Sequence, residues 1–191
     1  MLNIVLNYAI PSNAPTMALM ITEKDFVLPF SQFELGDFVI TVADVEDAQR
    51  KWGDGIVRIA TAHTTGGNYV EIATNHVEHL YAYDLSEVLF KPTMASIDQF
   101  RPTFEGALSY FVASNGACEE DSGFAIKGWT AVRFENSGII INEANAIAMG
   151  NYFFMGEDGN ETKVEYTFGY ILDDSNNLRI VLHHSSLPAS S

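Results

Sequence analysis

The stretch TKVEYTFGYIL, residues 162–172, decides the fold class, because polar and apolar side chains alternate along it from Lys163 to Phe168. In a β-strand, successive side chains point to opposite faces of the sheet. The alternation therefore predicts a strand with one solvent-facing side and one buried side. The buried side carries Val164, Tyr166, Phe168 and Tyr170.

Three further strand patterns surround this segment. Two precede it, GFAIKGWTAVRFE at residues 123–135 and GIIINEANAIAMGNYFFM at 138–155, and one follows it, LRIVLHHSS at 178–186. The turn signals ENSG, GEDGNE and DDSNN separate them. Strands joined by such short connections pair with their neighbours in sequence, so the second half of the chain predicts an antiparallel meander.

Two amphipathic helices are predicted upstream of the strands. Thr41 followed by Asp44 has the pattern of an N-cap box, and apolar residues then recur every three or four positions up to residue 63. A second helix follows the turn TTGGN at 64–68. The predicted apolar faces carry Val45, Ala48, Trp52, Ile56, Ile59 and His63 in the first helix, and Tyr69, Ile72, Ala73, His76, Val77 and Leu80 in the second.

Two short elements connect the helices to the meander. EVLFKPT, residues 87–93, indicates a short strand that ends at Pro92, and FRPTFEGALSYFV, residues 100–112, indicates a short helix capped by Thr103. Helices that come before an antiparallel meander are typical of an α+β domain with the helices on one face of a curved sheet.

The length and net charge of the chain limit its possible domain count and partners. The 191 residues suit one domain, predicted at 41–191, after an irregular segment 1–40 that we interpret as an N-terminal extension, a linker or a cloning remnant. The net charge of −15 argues against nucleic acid and anionic membrane partners. The lone Cys118 excludes an internal disulfide. The apolar runs are too short to span a bilayer, and we expect a cytoplasmic protein, or an organellar one if the chain derives from a longer algal precursor.

The last strand ends in His183, His184, Ser185 and Ser186. Strict alternation places His184 and Ser186 on the face of Ile180 and Leu182, which we predict to lie beneath the helices at the rim of a cavity. Alternation alone also allows ordinary strand-end residues with satisfied hydrogen bonds.

The histidines raise the alternative of a metal site. His76 and His79 are three residues apart on the second helix, and His183 and His184 are adjacent. No HExxH pattern accompanies them, so we predict that His76 packs in the core. No nucleophile elbow, phosphate-binding loop or dinucleotide fingerprint is present either.

Six segments in order carry a resemblance to a known family. The chain resembles the nuclear transport factor 2-like superfamily, in the branch of the calcium/calmodulin-dependent protein kinase II association domain, and within it the iota-class carbonic anhydrases of algae and bacteria. The resemblance covers about residues 41–188, and HHSS is its most specific mark. Its segments are SEVLFKPT, QFRPTFEGALSYFV, EDSGFAIKGWTAVRFEN, AIAMGNYFF, KVEYTFGY and LRIVLHHSSLP.

The resemblance implies a cone-shaped α+β fold, a homodimer formed through the outer sheet face, and reversible hydration of CO2 to bicarbonate. It implies a site without a metal cofactor, although manganese or zinc has been linked to some members. The implied catalytic residues are Thr93, Tyr110, His184 and Ser186, with His183 and Ser185 as alternatives that the resemblance leaves open. Apolar walls for CO2 are expected from Phe168, Leu182 and Phe111.

We hypothesise a separate role in CO2 hydration for each of these groups. Tyr110, Ser186 and Thr93 orient a water molecule and bind the nascent bicarbonate oxygens, and His184 relays the proton. Two other functions stay open on this scaffold: an isomerase or dehydratase, and a non-catalytic oligomerisation or ligand-binding module. The pocket-facing positions that the sequence identifies lack an Asp that could act as the general base of an isomerase or dehydratase.

Overall fold

A computed structural model describes residues 39–189, in which helices pack on one face of a five-stranded sheet. Most of the predicted extension, residues 1–38, lies outside the described residues, and its boundary stays a prediction. None of the described helices is both long enough and apolar enough to cross a membrane.

The elements follow the predicted order. The helices are α1 (Val42–Thr64), α2 (Tyr69–Leu80) and α3 (Phe104–Val112). The strands are β1 (Leu89–Lys91), β2 (Trp129–Asn142), β3 (Asn145–Gly156), β4 (Glu161–Leu172) and β5 (Leu178–Ser186). They lie in the order β1-β5-β4-β3-β2, with β1 parallel to β5 and the other pairs antiparallel. The α+β class and the meander are confirmed.

Side-chain caps fix the starts of α1 and α3. The Asp44 amide donates to Thr41 Oγ1 at 3.2 Å, and the Thr41 amide donates to Asp44 Oδ2 at 2.8 Å. These bonds satisfy donors that a helix start leaves without partners. Thr103 Oγ1 accepts from the Gly106 amide at 3.1 Å. Both predicted caps are confirmed.

Trp52 of α1 lies at the centre of the core. It is 1% exposed, and the apolar face predicted for β4 lies buried beneath the helices. Because aromatic rings bury large areas in fixed geometries, this cluster sets the spacing between helix and sheet. The Trp52 ring centroid is 5.6 to 6.4 Å from those of His76, Phe111, Phe134, Tyr152, Phe154, Phe168 and His183.

A β-bulge in β5 reverses its alternation. Gly169 of β4 pairs with Leu182, but the next residue, Tyr170, pairs with Ile180, so Val181 is an extra residue in β5. An extra residue moves every later side chain to the other face.

The prediction that His184 and Ser186 share the face of Ile180 is therefore wrong. His183 and Ser185 are the buried pair, at 2% and 3% exposure, and His184 is exposed.

Arg101 ties together the two loops that flank α3. Its side chain is fully buried, and Nη2 donates to Asp121 Oδ1 at 2.8 Å while Nη1 contacts Cys118 Sγ at 3.0 Å. Nearby, the Glu120 carboxylate accepts the backbone amides of residues 96–98. The loop that follows β1 is thereby held against the loop that follows α3.

Arg101→Met should lower the free energy of unfolding by about 3–5 kcal/mol, because it leaves the buried Asp121 carboxylate without its partner. Urea denaturation measures this loss. Arg133→Met is the matched control, since Arg133 also pairs with carboxylates but is 49% exposed, and it should cost at most about 1 kcal/mol. Equal losses in the two variants would contradict the assigned role of Arg101.

Candidate active site

A small cavity opens between the helices and the inner face of the sheet. Its volume is about 170 Å³, below the roughly 300–1,000 Å³ of sites that take drug-sized ligands. Most of its wall is apolar, and Lys127 is the one charged residue among the described residues that line it. The other polar residues in the lining are Thr93, Tyr110, Tyr152, Thr162, His183 and Ser185.

The pairing of β1 with β5 brings Thr93 to Ser185. The two strands run parallel, with Lys91 opposite His184, so the chain that leaves β1 reaches the end of β5. Thr93 Oγ1 donates to Ser185 Oγ at 2.9 Å. Residues 92 positions apart in sequence thus form one hydroxyl pair in the cavity wall.

His183 is held on both ring nitrogens. Nδ1 lies 2.7 Å from the Tyr81 hydroxyl, and Nε2 lies 3.4 Å from the Tyr152 hydroxyl. Its ring stacks on Phe90 with centroids 4.5 Å apart and meets the edge of Phe168 at 4.4 Å. Burial, followed by the nearby His184 and His76, lowers the pKa of His183 well below its ordinary value, so the imidazole is neutral near pH 7.

The tyrosines of the cavity are neutral donors. Tyr110 projects from α3, is 6% exposed, and stacks on Phe124 with centroids 5.6 Å apart. Burial raises the pKa of Tyr110 above its ordinary value, and it does the same for Tyr152. Hydroxyls that keep their protons can stabilise charge on a bound oxygen atom without carrying charge themselves.

The structure brings Thr93 and Tyr110 together with His183 and Ser185, which the resemblance had left as alternatives. It does not bring His184 or Ser186 to them. His184 lines a separate groove with Leu182, and Ser186 Oγ donates to Glu165 at 2.9 Å.

The expected apolar walls are only partly present. Phe111 lines the cavity, but Phe168 and Leu182 do not. Phe168 packs behind His183 instead, and Leu182 points to the other face because of the bulge.

Sequence reasoning missed several residues of the cavity lining, among them Trp52, Lys127 and Tyr152, and it missed Tyr81 behind His183. Tyr152 carries a weak signal, since alternation along β3 places it with Phe154 on the buried face. No sequence pattern marks Tyr81, because it follows α2 directly and reaches His183 only through the tertiary fold.

His76 packs in the core, as predicted. It is 5% exposed, and neither ring nitrogen has a partner in the described part of the chain. Gly55 of α1 leaves room for the ring, because a Cβ there would overlap Nδ1. Burial, aided by Arg58, lowers the pKa of His76 to about 3. Between residues 39 and 189, no three His, Cys, Asp or Glu side chains lie together as a metal-binding group.

The fold defines a class of protein that is known from solved structures. A putative calcium/calmodulin-dependent protein kinase II association domain from Xanthomonas campestris aligns over 78% of this chain and 87% of its own, with a TM-score of 0.53 and 19% identity. A putative dehydratase of the nuclear transport factor 2-like family from Streptomyces avermitilis aligns at a TM-score of 0.50 and 11% identity, over 78% of this chain and 96% of its own. At these identities the likeness shows the fold alone, and the cone-shaped fold is confirmed.

Two more similar proteins identify the family. A metal-independent carbonic anhydrase from Nostoc sp. strain PCC 7120 is 40% identical over 152 residues, which are 78% of this chain and 74% of the relative. The solved iota-carbonic anhydrase from a cyanobacterium, complexed with bicarbonate, aligns with a TM-score of 0.78 and 38% identity over 80% of this chain and 95% of its own. The family model of metal-independent carbonic anhydrases matches residues 43–187, and the chain belongs to that family.

The buried histidines make stability depend on pH. The folded state keeps His76 and His183 neutral, whereas the unfolded chain protonates them near pH 6.5. The free energy of unfolding is therefore undiminished above pH 6.5. It decreases as the pH falls below that value, by about 2 kcal/mol per histidine at pH 5. In urea titrations, His76→Leu should reduce the fall in unfolding free energy between pH 8 and pH 5 by about 2 kcal/mol. A His76→Leu protein whose unfolding free energy decreases as much as that of the wild type would contradict this account.

Proposed function

We propose that this cavity is where the chain hydrates CO2 to bicarbonate and catalyses the reverse reaction. The proposed substrate contacts are Thr93, Tyr110, His183 and Ser185. The observation that carries the proposal is their convergence in one small, otherwise apolar cavity, in a chain of the carbonic anhydrase family. The solved relative with bicarbonate supports the same substrate class.

The cavity suits both the neutral and the charged form of the substrate. CO2 is linear and carries no net charge, so it fits against aromatic walls such as Trp52, Phe111 and Phe154. When it becomes bicarbonate, negative charge develops on its oxygens, and preorganised donors stabilise that charge. In a chain of net charge −15, Lys127 also places one positive charge in the lining.

In the hydration step, one C–O bond forms between a water oxygen and the carbon of CO2, one C=O π bond of CO2 opens and leaves its electron pair on oxygen, and the water gives up one proton. His184 is on the wrong face of β5 to take that proton. No carboxylate lines the described part of the cavity, so we propose that the proton passes to solvent. The missing carboxylate also counts against an isomerase or dehydratase that would use an Asp–His pair in the described part of this cavity.

Stopped-flow CO2 hydration with a pH indicator tests the assignment, run on protein treated with a strong chelator. The wild type should retain full activity, since its family is metal-independent. Ser185→Ala should lose roughly a hundredfold in kcat/KM, the scale of removing one oxyanion donor.

The adjacent residues supply matched controls. Ser186→Ala and His184→Ala alter the same strand on its other face and should keep near-wild-type rates and melting temperatures. Loss of activity in these two variants with full activity in Ser185→Ala would overturn the site. Activity that returns only with added manganese or zinc would overturn the metal-free mechanism.

The outer face of the sheet supports a homodimer. Ile140 and Ile147 pair across β2 and β3, and with Met149 they form an outer patch that is 42–63% exposed. The family resemblance predicts that two copies meet at this face, and apolar patches of this kind mark interaction sites.

The cytoplasmic location stays a prediction from the sequence.

Light scattering coupled to size exclusion tests the dimer. The wild type should elute at twice the chain mass of 21.1 kDa, and Ile140→Lys should elute at the chain mass because it places a charge in the outer patch. Ile97→Lys is the control, since Ile97 is 80% exposed on the loop between β1 and α3 and belongs to no strand. A monomeric wild type, or a dimer that survives Ile140→Lys, would refute the proposed interface.

A further inference from the structure

A continuous line of hydrogen-bonding groups runs through the core to the cavity. Trp52 Nε1 donates to the Tyr81 hydroxyl at 3.0 Å, which lies 2.7 Å from His183 Nδ1. His183 Nε2 lies 3.4 Å from the Tyr152 hydroxyl in the cavity wall. All four residues are at most 2% exposed, so the line is shielded from bulk solvent.

The fold holds Tyr81 firmly, although it does not line the cavity. Its backbone pairs with Ile180, three residues before His183 in β5. Its carbonyl accepts a hydrogen bond from Arg179 Nη2 at 2.7 Å, and Arg179 also binds the carbonyl of Glu78 near the end of α2. The position of the Tyr81 hydroxyl is therefore set by backbone contacts on both sides.

The indole N–H fixes the direction of the line, because an indole can donate but cannot accept. The Tyr81 oxygen accepts from Trp52, and His183 Nδ1 is the one other partner of this hydroxyl among the described residues, so the hydroxyl hydrogen is satisfied only when it points to Nδ1. That nitrogen must present a lone pair. Since His183 is neutral, its single ring proton sits on Nε2, which faces Tyr152.

We propose that Trp52 and Tyr81 act through His183, Tyr81 as a positioning residue, to hold the imidazole as the Nε2–H tautomer, so that the buried network presents donors to bicarbonate in the cavity. The inference rests on the proposed function for its chemistry, and it assigns His183 the role of a donor. Its basic nitrogen is occupied by Tyr81 and does not take the proton of the attacking water.

The opposite tautomer would change what the substrate meets. With the proton on Nδ1, Nε2 would present a lone pair to Tyr152 and turn that hydroxyl toward the histidine. The hydrogen of Tyr152 would then be unavailable to an anion in the cavity, whereas in the Nε2–H tautomer it is free to point into the cavity. An anion would lose a positioned donor, which catalysis of this kind depends on.

Long-range ¹H–¹⁵N NMR of histidine-labelled protein tests the tautomer directly. In the wild type, His183 should show a protonated Nε2 and an unprotonated Nδ1. Tyr81→Phe keeps the ring and removes the hydroxyl, so His183 should shift toward the Nδ1–H form, and kcat for CO2 hydration should fall by about tenfold or more. Trp52→Phe frees the Tyr81 oxygen to accept from Nδ1–H, so the Nδ1–H population should rise in that variant as well.

Tyr83→Phe is the matched control. The Tyr83 hydroxyl donates to the Arg101 carbonyl at 2.8 Å, outside the line, so its loss removes a comparable bond without changing the tautomer or kcat. A wild-type His183 protonated on Nδ1 would overturn the inference whatever the activity, and so would a Tyr81→Phe protein with Nε2–H and full turnover. A wild type inactive toward CO2 whose tautomer still depends on Tyr81 would refute the proposed function but uphold the tautomer assignment.

Discussion

The extra residue in β5 is the constraint on which the site depends. A regular strand would turn His183 and Ser185 outward and put His184 and Ser186 beneath the helices. With Val181 unpaired, Ile180 and His183 instead share the buried face, so one strand supplies both core packing and the polar end of the cavity. Bulges next to active sites re-aim side chains in this manner. Trp52 packs against His183, and Thr93 bonds to Ser185, only because the bulge turns His183 and Ser185 to the buried face.

Local patterns predicted much of the fold and part of the site. The caps at Thr41 and Thr103, the helical periodicity and the alternation of β4 all depend on neighbours a few residues away, and each appears in the structure. The face of β5 could not be found by counting positions, because the register depends on its partner strand. Gly169 was the available signal, since a glycine inside a strand often accompanies a bulge. Tyr81 was out of reach, because only tertiary contacts bring it to His183.

The site is assembled from groups that burial keeps neutral. The lowered pKa of His183 and the raised pKa values of Tyr110 and Tyr152 have one cause, the cost of placing charge in an aromatic core. Apart from Lys127, the polar groups of the lining are neutral, so the proposed site would admit CO2 against apolar walls and meet bicarbonate with oriented dipoles. Zinc carbonic anhydrases solve the same problem differently, by lowering the pKa of a bound water to about 7. In the proposed site, the oriented hydroxyls and the imidazole would supply the selectivity for bicarbonate.

The bond between Thr93 and Ser185 also has a kinetic meaning. It joins residues 92 positions apart through the parallel pairing of a three-residue strand with the last strand of the sheet. Contacts this distant in sequence form slowly, because the chain must lose the entropy of closing a long loop before they add stability. Hairpins such as β2–β3 close through short turns and form early. The cavity of the proposed site is therefore expected among the last parts of the molecule to form, so a refolding chain should recover most of its sheet before it recovers activity.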